Sequence, residues 1–400
     1  MTGRAPQFAA FGARPAFAAQ LHVAQLNLPD WDKTEAAFRD IFARRYFANN
    51  GPRVRELDRA FADFIGVGHA VSVTNGTVGL MILAKALGIS GEVIVPAATF
   101  PATVQALSWV GLTPVFCDID ERTHLITPET VAPLITERTA GILGVHLWGQ
   151  GCDVAGLQRL ADARGLALFF DACHAIGCSK GGRPIGGFGV GEVFSFHATK
   201  VVSGAEGGCI TTNDAALADR LRTIRNFHAT ETFASVPLRL NGKMSEAQAA
   251  FALLSLADAD ANIAQNRLRY QAYEAGLAGL PGVKMLRYSP DEKNNYQYIV
   301  VEIDAVVAGL HRDTINALLL EENVVCRRHF YPGVHRMRPF AEGGNKPAAD
   351  LPNTEALNQR LLQLPNGQPV TVADVVNVCD LLRRMIVQAG DIREALEATP

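Results

Sequence analysis

Apolar positions along this 400-residue chain follow two periods that alternate with each other. A spacing of three to four residues predicts an amphipathic helix that begins after Gly51-Pro52 and carries Val54, Leu57, Phe61, Phe64 and Ile65. Helical segments such as Val78–Leu87 and Val154–Arg164 then alternate with short β-branched runs. The predicted strands are His69–Thr74, Glu92–Val95, Thr113–Cys117, Gly141–Val145, Leu166–Phe170, Glu192–Phe196 and Gly208–Thr212. This order predicts an α/β fold with a mostly parallel, buried sheet between helices.

The pattern changes near Ser245, where a long alanine-rich helical stretch begins. After Pro281 the predicted elements are strand Tyr296–Ile303, helix Arg312–Glu322, strand Val324–Arg328 and helix Val372–Val387. We therefore predict an N-terminal arm (1–30), a large sheet domain (31–250), and a linking helix with a smaller α/β domain (251–400). Arginines and prolines interrupt the apolar start of the chain, so an extended arm is expected there rather than a cleaved signal.

Composition narrows the classes of partner. The chain is 48% hydrophobic and 19% charged, which is typical of a large globular protein. With 37 Lys and Arg against 40 Asp and Glu, no excess of positive charge points to nucleic acid or to a membrane surface. The uncharged stretch 93–117 contains three prolines and is not read as a membrane span. The expected partner is a small molecule.

The seven cysteines are scattered and form no C-x-x-C pair, which indicates reduced thiols and a cytoplasmic protein. The histidines are too dispersed to suggest zinc, and no metal is expected. The P-loop, zincin and serine-hydrolase motifs are absent from the sequence. In the glycine cluster 186–191, Glu192 stands where a dinucleotide-binding motif needs its last glycine, so this cluster is interpreted as a turn.

Polar residues remain at the ends of three predicted strands, where open α/β sheets bind their ligands. Asn75-Gly76-Thr77 opens a helix whose first amides could hold a phosphate; a turn that only caps the helix is the commoner reading of such a motif taken alone. Asp171 ends an apolar strand, with His174 three residues later; a turn cap is the alternative. Ser195 to Lys200 precedes Glu206-Gly207-Gly208, and its lysine is either nucleophilic or solvated.

A phosphate cradle, a carboxylate and a lysine are together the three groups that hold pyridoxal 5′-phosphate. At this point the chain resembles the DegT/StrS family of nucleotide-sugar aminotransferases, enzymes of pyridoxal-phosphate fold type I. The matching segments are Asn50-Gly51-Pro52, Asn75-Gly76-Thr77, 96–100, 145–149, 171–174, 195–208, 241–244 and Leu364-Pro365. The resemblance implies a large domain with a seven-stranded, mostly parallel sheet and a smaller C-terminal α/β domain.

The resemblance also implies roles for individual residues. Lys200 would be the Schiff-base lysine and the acid/base, and Asp171 would hold the pyridine nitrogen. His174 would touch the phenolic oxygen, and Phe100 would stack on the ring. The phosphate contacts would be the Gly76 and Thr77 amides, the Ser195 hydroxyl and, from a second subunit, Asn241. A homodimer with shared active sites is therefore expected.

Retention of Lys200 favours transamination, because related dehydratases carry histidine at that position. The resemblance implies a reaction that moves an amino group from L-glutamate, through the pyridoxamine 5′-phosphate form, to a nucleotide-linked keto-deoxysugar. The expected acceptor is C4 of dTDP-4-keto-6-deoxyglucose. The alternatives are a 3-ketosugar nucleotide, a carbocyclic ketone of the inosose or aminoshikimate type, or a non-catalytic homologue that binds the cofactor. His329, Tyr331 and His228 are the predicted substrate contacts, and His329 replaces the tyrosine usual in the C4-aminating branch.

Overall fold

The structure is a computed structural model that describes residues 7–23, 27–227, 236, 238–342 and 350–398. The α-helices are α1 Trp31–Arg44, α2 Pro52–Ile65, α3 Gly76–Ala86, α4 Pro101–Trp109, α5 Pro128–Val131, α6 Val154–Arg164, α7 Ala215–Arg225, α8 Glu246–Ala257, α9 Ala259–Gly276, α10 Ala305–Ala308, α11 Arg312–Glu321, α12 Pro352–Arg360, α13 Val372–Val387 and α14 Ala389–Glu397. The strands are β1 Leu21–His22, β2 His69–Val73, β3 Glu92–Pro96, β4 Thr113–Cys117, β5 Thr139–Val145, β6 Ala167–Asp171, β7 Ser179–Lys180, β8 Arg183–Pro184, β9 Glu192–Ser195, β10 Gly208–Thr212, β11 Val283–Met285, β12 Ile299–Ile303, β13 Val324–Val325 and β14 Leu361–Leu364.

A seven-stranded sheet forms the centre of the N-terminal part, in the order β2-β10-β9-β6-β5-β3-β4. Only β10 within this sheet is antiparallel to its neighbours. Helices cover both faces, and buried apolar residues fill one core on each side. Strands of a sheet that is buried on both faces are apolar along their whole length. The short apolar runs predicted as strands from the sequence therefore do form strands in the structure. The predicted α/β fold with a mostly parallel sheet is confirmed.

The C-terminal part contains a three-stranded antiparallel sheet, β11-β12-β14, packed with α9, α11 and α13. The first described residues join this second core, because Phe8 and Phe17 are buried in it and β1 pairs with β13. The carboxylate of Glu322 accepts hydrogen bonds from the Ala9 and Ala16 amides, each at 2.7 Å. Part of the predicted arm is thus fixed against the C-terminal elements.

Two strands of the C-terminal part are each three residues shorter than predicted. The strand predicted at Tyr296–Ile303 begins at Ile299, because the carbonyls of Tyr296 and Gln297 accept from the Asn366 side chain instead of a neighbouring strand. The strand predicted at Val324–Arg328 ends at Val325, since its partner β1 has only two residues. No helix in the described ranges is long and apolar enough to cross a bilayer.

Candidate active site

One cavity lies where β2, β6 and β9 end, between the large sheet and elements of the C-terminal part. Eight of the residues predicted from the sequence line it: Gly76, Thr77, Phe100, Asp171, His174, Ser195, Lys200 and His329. Because the strands are parallel, their carboxyl ends meet at the same edge of the sheet, which brings together residues more than a hundred positions apart in the chain.

The amino end of α3 forms one wall. Its N-cap is Asn75, whose side chain accepts from the Val78 amide at 2.9 Å. The amides of Gly76 and Thr77 donate to no acceptor among the described residues, so they and the helix dipole can meet an anion. Gly76 is packed closely: a methyl group there would lie 3.3 Å from Cβ of Ser195. The close packing at Gly76, the two free amides and the nearby Ser195 hydroxyl together fit a bound phosphate.

Asp171 is the last residue of β6 and is only 6% exposed. Its Oδ2 accepts from the Thr103 hydroxyl at 2.8 Å, and its Oδ1 accepts from the Cys173 amide at 3.0 Å. Burying a carboxylate is costly unless donors or a cation compensate it. Two neutral donors orient the group without neutralising it, so the site fits a protonated pyridine nitrogen.

Lys200 follows β9 in a turn closed by its own amide, which donates to the His197 carbonyl at 2.9 Å. Its Nζ donates to the Tyr298 hydroxyl at 3.1 Å. Burial lowers the pKa of Lys200. The positive charge of Arg327 also lowers it, whereas the negative charge of Asp171 partly opposes the shift. A lower pKa leaves more of the amine unprotonated and nucleophilic, as imine formation requires.

His174 is held in the neutral form. Burial, with Lys200 and His329 nearby, lowers its pKa well below the ordinary value. Its Nδ1 accepts from the Trp148 amide at 3.4 Å, which leaves Nε2 to carry the proton. The ring lies 4.3 Å from that of Tyr298. His174 therefore offers one oriented N–H donor, which suits a phenolic oxygen.

Comparison of the chain with known protein families agrees with this geometry. Residues 30–383 match the model of the DegT/DnrJ/EryC1/StrS aminotransferase family. A dTDP-4-amino-4,6-dideoxy-D-glucose transaminase from Escherichia coli is 32% identical over 364 residues, which are 90% of this chain and 97% of that protein. The chain belongs to the DegT/DnrJ/EryC1/StrS aminotransferase family. Aminotransferases of this family depend on pyridoxal phosphate, and this protein is an enzyme of that class.

Solved structures of family members are similar over nearly the whole chain. The structure of DesI, determined in the presence of its TDP-sugar product, is 43% identical with a TM-score of 0.93 and covers 98% of this chain and 99% of its own. The structure of S. venezuelae DesV in complex with a ketimine intermediate is 29% identical, with a TM-score of 0.82. The match covers 90% of this chain and 98% of the DesV chain.

Three predicted residues are not brought into the cavity of this family member. Asn241 lies outside it and forms an isolated antiparallel bridge with Asn226, so its role in a partner's site stays a prediction. Tyr331 also lies outside; the centroid of its ring is 5.4 Å from the guanidinium carbon of Arg312 and 5.1 Å from that of Arg328. His228 lies outside the described residues.

Four of the residues that sequence reasoning missed contribute polar groups to this family member's site. Thr103 orients Asp171, and Tyr298 contacts Lys200. The other two, Arg327 and Gln363, line the cavity from the C-terminal part. Gln363 carried a signal, because it is the one polar residue in the run Leu361-Leu362-Gln363-Leu364. Thr103 and Tyr298 carried none, since each gains its role only through a contact distant in sequence.

Proposed function

We propose that this protein transfers an amino group from L-glutamate to C4 of dTDP-4-keto-6-deoxyglucose, using pyridoxal 5′-phosphate. The observation that carries the proposal is the convergence of Lys200, Asp171 and the amino end of α3 on one cavity. The choice of sugar is supported by the relatives, because the Escherichia coli protein is named for the amino sugar at C4 and DesI has a TDP-sugar product.

Each group has a defined task in this proposal. The bound cofactor supplies an electron sink beside the carbon that gains or loses a proton. The α3 amides, with the Ser195 hydroxyl, hold its phosphate, and Asp171 keeps its ring nitrogen protonated. His174 donates to the phenolic oxygen, and the exposed ring of Phe100 covers the pyridine face.

Lys200 would hold the cofactor through Nζ, and the same atom would move the proton at the reacting carbon. The lowering of the Lys200 pKa by burial suits both tasks, because it raises the fraction of the amine that is unprotonated. The Tyr298 hydroxyl, 3.1 Å from Nζ, orients the amine in the cavity. The same lysine serves both half-reactions, from donor to the pyridoxamine form and from that form to the ketosugar.

We also propose a homodimer in which Asn241 contacts the phosphate in the partner's site. Its position away from this chain's own cavity is consistent with that assignment. All seven cysteines are free, which supports a cytoplasmic location. Light scattering tests the dimer: a monomer that turns over normally would refute shared sites.

A single-turnover experiment tests the function. L-glutamate should convert the holoenzyme to the pyridoxamine form, and dTDP-4-keto-6-deoxyglucose should restore the original cofactor absorbance and yield the amino sugar by mass spectrometry. Lys200→Ala should abolish both conversions. Asp171→Asn should slow them, because it removes the negative charge while keeping a side chain of nearly the same size. If glutamate reacts and this ketosugar does not, 3-ketosugars or carbocyclic ketones are the acceptors; if glutamate also fails, a non-catalytic homologue is favoured.

A further inference from the structure

One buried amide lines the cavity without a hydrogen-bond donor for its oxygen. Gln363 lies in β14, is only 1% exposed and lines the cavity from the C-terminal part. Its Oε1 accepts from no donor among the described residues. An unpaired buried acceptor is unfavourable, so most buried polar groups in folded proteins are paired. A ligand that supplies the missing donor would explain this one.

Packing of the strand does not require an amide at this position. Successive side chains of a strand point to opposite faces, and Leu362 and Leu364 both pack into the C-terminal core. Leu361, on the same face of β14 as Gln363, packs into a core beside the large sheet. An apolar residue at position 363 would continue that face without leaving a polar atom unpaired. The amide therefore costs stability that the fold itself does not recover.

Neighbouring segments hold the backbone of Gln363 on both sides. Gln363 and Arg327 exchange amide-to-carbonyl hydrogen bonds at 2.8 and 3.1 Å, and on the other side Gln363 pairs with Val300 of β12. Arg327 also lines the cavity, and within the described part of the chain it has no ion-pair partner and does not donate to Gln363 Oε1. A side chain carried by a strand paired on both edges is well positioned for selective recognition.

The missing partner must be a hydrogen-bond donor, which excludes most polar groups of the proposed ligands. Glutamate reacts through its amine, and its other polar groups are two carboxylates, which only accept hydrogen bonds. A diphosphate also offers acceptors alone. Either anion could accept from the N–H groups of the amide, but it would leave Gln363 Oε1 unpaired. A hydroxyl group both donates and accepts, so it can pair with either end of the amide.

We propose that Gln363 recognises a ring hydroxyl of the acceptor sugar and thereby selects acceptors that carry it. In a 4-keto-6-deoxyhexose linked to a nucleotide through C1, C6 is a methyl group, so the sugar has hydroxyls only at C2 and C3. The hydroxyl that pairs with Gln363 is one of these two. The inference rests on the proposed function in that the acceptor is a hydroxylated ketone, and it adds a residue that reads the sugar itself.

A cycle that changes both the side chain and the substrate tests this assignment. The holoenzyme is converted to the pyridoxamine form by dTDP-4-amino-4,6-dideoxyglucose, the reverse of the second half-reaction, or by analogues that lack the C2 or the C3 hydroxyl. In wild type, loss of the recognised hydroxyl should raise the apparent Kd about 10- to 100-fold, because the amide is then left unpaired. In Gln363→Met, which keeps the length of the side chain without its polar atoms, the same loss should change the Kd less than about threefold.

Three controls separate recognition of the sugar from other effects. The apparent Kd for L-glutamate should differ less than about threefold between wild type and Gln363→Met. Gln368→Met makes the same change at an exposed position outside the cavity and should leave the Kd of every substrate unchanged. Gln363→Met should also unfold at a urea concentration no lower than wild type, because an apolar side chain replaces an unpaired amide. An amide with a purely structural role would give a lower midpoint.

Three results would overturn the assignment. Wild type could bind both deoxy analogues as tightly as the parent amino sugar, a comparison that needs no variant. Loss of a hydroxyl could weaken binding as much in Gln363→Met as in wild type, or the Kd for glutamate could rise in that variant. Failure of the proposed sugar is a separate outcome: if wild type reacts with glutamate but not with dTDP-linked sugars, the same cycle is run with the 3-ketosugar nucleotide or hydroxylated carbocyclic ketone that does react.

Discussion

Acidification should destabilise the protein through the imidazole of His329. Burial, together with the charges of Arg327 and Lys200, lowers its pKa from 6.5 to about 3. The unfolded chain therefore takes up a proton below about pH 6.5, while the folded chain does not, and stability falls as the pH falls. Each pH unit below 6.5 costs about 1.4 kcal/mol, so moving from about pH 7 to about pH 5 should remove about 2 kcal/mol.

The variant His329→Phe isolates this contribution. It keeps an aromatic ring beside Phe330, whose centroid is 5.0 Å away, and removes the titrating group. Urea unfolding of the cofactor-free protein, checked for reversibility, should show an acid-induced loss about 2 kcal/mol smaller in the variant than in wild type. His174 titrates in the same direction, because its pKa is also lowered by burial, so part of the loss should remain in both proteins.

Val306→Phe is the control, because it adds the same ring at a position that is 92% exposed and removes no titrating group. It should lose as much stability on acidification as wild type does. Equal acid-induced losses in wild type and His329→Phe would refute the reasoning, since they would mean that His329 is protonated in the folded state or that water reaches it freely.

Three further substitutions test other parts of the structure. Thr103→Val removes a buried donor to Asp171 and should lower the free energy of unfolding by about 2 kcal/mol in urea titrations, whereas Thr103→Ser should retain most of it. Gly208→Ala places a methyl group 2.8 Å from backbone atoms of the phosphate turn and should weaken cofactor binding in an absorbance titration, while Gly390→Ala, where a methyl meets nothing within 4 Å, should not. Glu246→Gln removes the buried charge that accepts two amides at the start of α2 and should cost about 1–3 kcal/mol in the same urea assay.

The sequence predicted the large sheet better than the C-terminal part for a physical reason. Strands buried on both faces are apolar throughout, so β4 and β10 were predicted with their observed bounds, and α13 was found because its apolar stripe follows the helical period. The strand β14 was not predicted, although it lies at the edge of the small sheet and is wholly buried. Its four residues are too few to display a period, and its pairing with β12 joins residues about 60 apart.

The residues of the candidate site likewise fall into those that a local motif predicted and those that only tertiary pairing reveals. Gly76, Asp171 and Lys200 stand beside the strand or helix that positions them, so short motifs predicted them. The rule that singled out Asp171, a polar group in an apolar strand that requires a partner, applies equally to Gln363 once β14 is known to be a strand.

The different positions of two adjacent arginines could not be predicted from any sequence pattern. Arg327 and Arg328 have the same side-chain chemistry and are adjacent in sequence, and no pattern distinguishes which one lines the cavity. The distinction comes from α11, which brings Asp313 to 3.0 Å from Arg328 and leaves Arg327 without a counter-charge. Which of the two adjacent arginines lines the cavity therefore depends on contacts that form only in the folded structure.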